Sequence, residues 1–212
     1  MQHFKSMAKA ADREHLAFER ILFFSDAVFA ISITLLVLEV KVPEMQQEFS
    51  ELQLGYSLLR MAPKFVGFLI SFFLIGQTWI EHHRMCSFLG EYNFGLLWRN
   101  LWLLLFVVFL PFTTALLSEY YFSRVAICVY AFSFAGLGFA KASFWHHAGK
   151  KHLLAKDADA SQAVRISRRV WATPLTSFAV IIAAVAGIPY AYCGFAFIPL
   201  VALSLDRTAS RK

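Results

Sequence analysis

The stretch Glu19–Pro43, ERILFFSDAVFAISITLLVLEVKVP, sets charged and polar side chains inside a run apolar enough to cross a bilayer. A span needs ~20 mostly apolar residues. Arg20, Ser25 and Asp26 sit near one end of this one and Glu39 near the other. An ionisable side chain within a span costs at least a few kcal/mol unless it is paired, so Asp26 requires a partner and marks the stretch for function. Two later apolar stretches offer partners. One ends in Gln77-Thr78-Trp79-Ile80-Glu81-His82-His83-Arg84, and the next opens near Arg99-Asn100. Trp79 and His83 are i and i+4, on one helical face, and both carry N–H groups that a carboxylate accepts from. Antiparallel neighbours bring them to the depth of Ser25 and Asp26. The expectation is a network of Arg20, Ser25, Asp26, Trp79, His83 and Asn100 that holds the first helix against the second and third. A tryptophan in the interfacial belt and a histidine at a helix end are the commoner reading of the same letters. An Asp–His pair within spans is also a proton path, which makes Asp26 and His83 the basis of an alternative, proton-coupled reading.

Helical phase separates a second set of residues. At ~100° per residue, Phe24, Val28, Ile31, Leu35, Leu38 and Val42 form one stripe, with Thr34 flanking it and Glu39 close to its far end. Asp26 lies ~140° from Ile31 and points elsewhere. One face is thus smooth and aliphatic, and the other presents a carboxylate. Such a stripe lines a pore in a symmetric assembly and equally serves ordinary helix packing, and periodicity does not choose between them.

The string Arg20-x-x-x-Phe24-Ser25-Asp26, followed by an Ala-Ile-x-x-Thr-Leu-Leu run, resembles the signature of the endosomal and lysosomal potassium channel family, and the short length its prokaryotic branch. The resemblance implies a homotetramer whose first helices surround the pore. It further implies potassium over sodium permeation without a carbonyl filter, and TVGYG is absent from this sequence. Carried over residue by residue, it assigns the constriction to Ile31, Leu35 and Leu38, with a hydroxyl ring from Thr34. Glu39 would stand at the pore mouth. Phe24, Ser25 and Asp26, with Trp79, His83 and Asn100, would form the structural signature network.

The elements that position these residues are themselves membrane helices. The 212 residues are 58% hydrophobic and 17% aromatic, and apolar runs recur from end to end. Six transmembrane spans are expected, at about 18–40, 57–80, 95–118, 121–145, 169–188 and 190–206, in one all-α integral membrane domain over residues 1–206 with a short basic tail at 207–212. Pro111, Pro174 and Pro199 fall inside spans and are expected to kink them. With six spans only Lys41, Arg60, Lys64 and Arg124 of the 20 Lys and Arg fall on one side. That bias places both termini in the cytoplasm of a cell-membrane protein. It also accounts for the net charge of +6 without nucleic acid, and leaves membrane lipids as partners of the basic face. Glu44, Glu48 and Glu51 fall in the outer loop and with Glu39 would make the mouth electronegative.

Several chemistries find no support. Cys86, Cys128 and Cys193 have no CxxC spacing, and the paired histidines His82-His83 and His146-His147 point to different helix faces, so neither a metal site nor a disulfide framework is expected. No nucleophile motif, P-loop or Rossmann glycine pattern occurs, which argues against an enzyme and against any cofactor besides a permeant potassium ion. The first apolar run, interrupted by Asp26, is also unlike a cleaved signal peptide.

Overall fold

A computed structural model describes residues 2–44 and 50–207, with side chains in the first segment from residue 18 onward and at Leu16. Glu48, Arg211 and Lys212 lie outside the described residues, and so do the side chains of Lys5, Lys9, Arg13 and Arg207. The chain is helical in this order: α1 Gln2–Leu38, α2 Glu51–Arg60, α3 Ala62–Ser87, α4 Phe94–Glu119, α5 Arg124–Lys150, α6 Ala160–Arg169, α7 Ala172–Val185, a 3-10 helix Ala191–Phe197 and α8 Ile198–Arg207. Among the described residues, five helical segments are long and apolar enough to cross a membrane: Phe18–Leu38, Ala62–Ser87, Phe94–Glu119, Arg124–Lys150 and Ala160–Val185. The apolar segment Ala191–Asp206 is shorter.

Local chemistry sets boundaries that hydropathy missed. The second span, expected at 57–80, is broken at Met61 and runs on to Ser87. Ser50 and Gln53 form a reciprocal capping box that starts α2 early, and Pro63 sits in the first turn of α3, where its missing N–H costs nothing. The fourth helix begins at Arg124 rather than 121, because the Ser123 side chain accepts from the Ala126 N–H. The fifth span is preceded by a separate polar helix, α6, which Asp159 caps by accepting from the backbone of Ser161 and Gln162 and which ends before α7 begins at Ala172. Hydrogen bonds from the side chains of Ser161 and Gln162 and from their backbone N–H groups favour its charged form and hold the exposed Asp159 carboxylate down to about 2. Pro174 and Pro199 lie in the first turns of α7 and α8 and therefore start helices instead of kinking them. Pro111 does lie inside α4. The threonines after it bond the Leu110 carbonyl, at 3.1 Å from Thr113 and 2.8 Å from Thr114, and not that of Val107.

Around α5 the helices pack closely. A Cβ on Gly138 would meet Pro174 Cδ at 2.4 Å, so glycine is what lets α5 and α7 approach. Tyr130 and Phe134 of α5 meet Phe195 with ring centroids 5.4 and 5.0 Å apart. Hydrocarbon offers little hydrophobic drive between spans, so close packing and interhelical polar contacts carry the association. The chain Thr114–Ser71–Tyr130, with oxygens 2.8 and 2.9 Å apart, stitches α4, α3 and α5 through fully buried hydroxyls. At one end of the bundle the loops after α3 and α5 pair through backbone bonds of 2.9 Å, Gly90 N–H to Leu153 C=O and Ala155 N–H to Phe88 C=O.

Candidate functional site

Helix α1 has two unlike faces. Ser25, Phe29, Ser32 and Leu36, at i, i+4, i+7 and i+11, are buried against α3 and α4. On the other side Phe24, Ile31, Leu35, Leu38 and Val42 are exposed in the single chain, by 40% for Leu35 and 68% for Leu38, and Thr34 is exposed with them. Apart from Val28, which packs against the core, the aliphatic stripe therefore faces away from the chain's own core. Thr34 returns its hydroxyl to the Ile31 carbonyl, 2.9 Å away. Glu39 lies half-buried in the turn that ends the helix, where its N–H and that of Val40 bond back to the Leu36 and Val37 carbonyls.

The polar side chains at the other end form two sets rather than one. Asn100 of α4 donates its amide N–H to Ser25 Oγ at 2.9 Å, and Ser25 passes its own proton to the Ile21 carbonyl at 2.9 Å. The Asn100 oxygen lies 2.8 Å from His82 Nε2. An amide oxygen only accepts, so His82 carries its proton on Nε2. Ser25, Asn100 and His82 are all buried, and the His82 ring is held between Phe29 and Phe144 at centroid distances of 5.6 and 5.7 Å. The second set is Trp79 Nε1–H donating to Asp26 Oδ1 at 2.8 Å, both partly exposed.

His83 shares a helical face with Trp79, as the i, i+4 spacing requires, but it stands outside both hydrogen-bonded sets. It is exposed and touches the Trp79 ring at 5.8 Å, while the histidine that meets Asn100 is its neighbour His82. The physical reason is phase: Ser71, Ile75, Thr78, His82 and Met85 form the buried face of α3, and His83 is turned ~100° from it. Ser25 and Asp26 are turned by the same angle on α1, so each reaches a different part of α3 and α4. Arg20 is exposed and stands outside both hydrogen-bonded sets, and Phe24 lies on the outer stripe.

A third polar cluster was not legible in advance. Lys141, counted above with the basic residues of one face, is 1% exposed and ion-paired with Glu81; it also donates to Thr173 at 3.2 Å. Gln77 donates to the other Glu81 oxygen at 3.0 Å. Arg169 pairs with Asp206 between α6 and α8. The i, i+4 spacing of Gln77 and Glu81 was a visible signal for part of this cluster, but nothing in sequence links Glu81 to a lysine 60 positions away.

The fold and these interhelical polar contacts define a multi-pass, all-helical membrane protein. Residues 20–111 match the family described as "Endosomal/lysosomal potassium channel TMEM175". The chain is 41% identical over 154 residues to a potassium channel of Chamaesiphon minutus, covering 71% of this chain and 75% of that one. It is 36% identical over 154 residues to a potassium channel of Streptomyces collinus, covering 69% and 73%. The crystal structure of a lysosomal potassium-selective channel TMEM175 homolog from Chamaesiphon minutus superimposes with a TM-score of 0.73 at 32% identity, over 89% of this chain and 96% of that one. The chain belongs to the TMEM175 family, a family of ion channels rather than enzymes.

Proposed function

We propose that the protein is a potassium-selective channel, leaky to other monovalent cations, that conducts passively through a constriction formed by α1. The observation that carries this reading is the aliphatic stripe Ile31, Leu35 and Leu38, exposed in a single chain of a family whose similar members are named potassium channels. Four identical subunits would set these stripes around one axis, because closed symmetry brings the same helix of each copy together. Rings of branched aliphatic side chains close a pore by dewetting. A neck of that kind strips part of an ion's hydration, which costs less for potassium than for the smaller sodium ion. Thr34 adds a hydroxyl ring nearby, and Glu39 with the C-terminal end of the α1 dipole would draw cations to the mouth. Six spans, the sixth formed by residues 191–206, put both termini in the cytoplasm of the cell membrane.

In this scheme Ser25, Asp26, Trp79 and Asn100 anchor the helix and take no part in conduction. Proton conduction through Asp26 and His83 is the alternative, and one comparison favours keeping it in view. A human relative, 29% identical over 103 residues that make up 48% of this chain and 20% of that protein, is named an endosomal/lysosomal proton channel. Against it, Asp26 is hydrogen-bonded to Trp79, and His83 is exposed and meets the tryptophan ring instead of Asp26.

The test is the reversal potential of purified protein in a bilayer with potassium on one side and sodium on the other. A value near the potassium equilibrium potential is expected. Current that follows the proton gradient alone would move the function to the second reading. Leu35→Ala is expected to raise conductance and lower the potassium-to-sodium ratio; an unchanged ratio in an intact tetramer would remove Leu35 from the constriction.

A further inference from the structure

Between α3, α6 and α8, away from the exposed stripe of α1, lies a cavity of about 310 Å³ that the conduction scheme does not use. Ligand pockets run from about 300 to 1,000 Å³, so this one takes a headgroup and the upper part of a chain. Its wall has two halves. Ile80, Met85, Ile166, Val170, Pro199 and Leu203 make one side hydrocarbon. Arg84 and Arg169 stand at the other and are shared with a second, adjoining cavity of about 110 Å³, which adds Arg165 and Gln162. Glu81 also reaches the first cavity, but it is ion-paired with Lys141, and Arg169 is ion-paired with Asp206. Each of those pairs is neutral. Arg84 and Arg165 are left over, both exposed, and among the described residues neither has a carboxylate at ion-pair distance.

Two uncompensated guanidinium groups above an apolar slot, on the flank of helices long enough to span a bilayer, match one kind of molecule. We infer that this joined cavity holds an anionic phospholipid, its phosphate on Arg84 and Arg165 and the start of an acyl chain against Ile80, Pro199 and Leu203. Guanidinium groups suit phosphate because their N–H forks present paired donors. Basic pockets between membrane helices bind lipid headgroups by this chemistry. A lipid is favoured over a free anion because the larger cavity is mostly apolar, which a soluble phosphate would leave empty. Arg169, already pinned by Asp206, supplies the fixed edge of the site, and Gln162 a neutral donor.

Native mass spectrometry of the purified full-length protein, exchanged into phosphatidylglycerol or phosphatidylcholine, tests this directly. Wild type is expected to retain phosphatidylglycerol and not phosphatidylcholine. Retention should fall about fivefold for each arginine removed in Arg84→Gln and Arg165→Gln, and be unchanged in Arg168→Gln, a basic neighbour outside the cavity. Ala202→Phe, which fills the apolar half and leaves the charges in place, should lose the lipid as well. Unchanged elution on size exclusion shows that each variant is folded. Equal retention by wild type and the double arginine variant would overturn the site. So would loss in Arg168→Gln as large as in Arg84→Gln, or full retention in Ala202→Phe, since both would mean general surface attraction. Displacement of the lipid by millimolar inorganic phosphate would overturn the lipid in favour of a free anion.

Discussion

Two polar clusters fasten the membrane helices, and they are built on opposite principles. The one at α1 is made of neutral groups: an amide, a hydroxyl and an imidazole pass hydrogen bonds from His82 through Asn100 to Ser25, with Asp26–Trp79 beside them. The one at α5 is an ion pair, Lys141–Glu81, extended by Gln77 and Thr173. Neutral hydrogen bonds are individually worth about 0.5–1.5 kcal/mol and tolerate replacement by other donors. A buried charge pair contributes little net stability, yet losing one partner strands the other. The helix with an exposed seam is thus held by exchangeable contacts, and the helix at the centre of the packing by a contact that fails completely or not at all.

Breaking the α5 cluster should have the largest effect. Glu81→Gln leaves the buried Lys141 without its counter-charge and is expected to cost about 3–5 kcal/mol. Thermal unfolding followed by loss of the native size-exclusion peak would read this. Lys141→Met with Glu81→Gln should recover most of the loss; no recovery would mean that the lysine serves mainly by packing. Next comes Asn100→Leu, which leaves His82 Nε2–H unpartnered and Ser25 without its donor, at about 1–3 kcal/mol by the same assay. Asp26→Asn keeps an oxygen for Trp79 and should cost about 1 kcal/mol, with potassium current retained. Abolished current in a stable oligomer would shift Asp26 from anchor to pathway. The smallest effect belongs to His83→Gln, within about 0.5 kcal/mol, because the ring is exposed. His82→Gln should exceed it clearly, and equal effects would dissolve the distinction between the two histidines.

The sequence made the two faces of α1 legible because a single period carries most of them: Phe24, Ile31, Leu35 and Leu38 all face away, and only Val28 of that stripe packs against the core. The third and fourth spans were legible to within a few residues for the same reason, long uninterrupted apolar runs. What failed was choice between neighbours. His82 and His83 are one residue apart, and only the packing of Ser71, Ile75 and Thr78 on the same face selects His82. Lys141 counts toward charge asymmetry like any lysine, and its burial depends on Glu81 in another helix. The early start of α2 was available in Ser50-x-x-Gln53, a capping signal that hydropathy averages away. The α6 start had a similar mark in Asp159 and was masked by the polarity of the segment.

The position of the polar contacts along α1 has a mechanical consequence. Ser25 and Asp26 fix the apolar part of the helix, Phe18–Leu38, near one end, whereas beyond them Phe29 makes a ring contact with His82 and Leu36 packs in the apolar core. The helix is therefore a rod on a pivot. At 1.5 Å per residue, Ile31 stands about 9 Å from Ser25 and Leu38 about 20 Å. A tilt of about 5° moves Ile31 by less than 1 Å and Leu38 by nearly 2 Å, both about. In the proposed pore, any such motion would move the Leu38 ring roughly twice as far as the Ile31 ring.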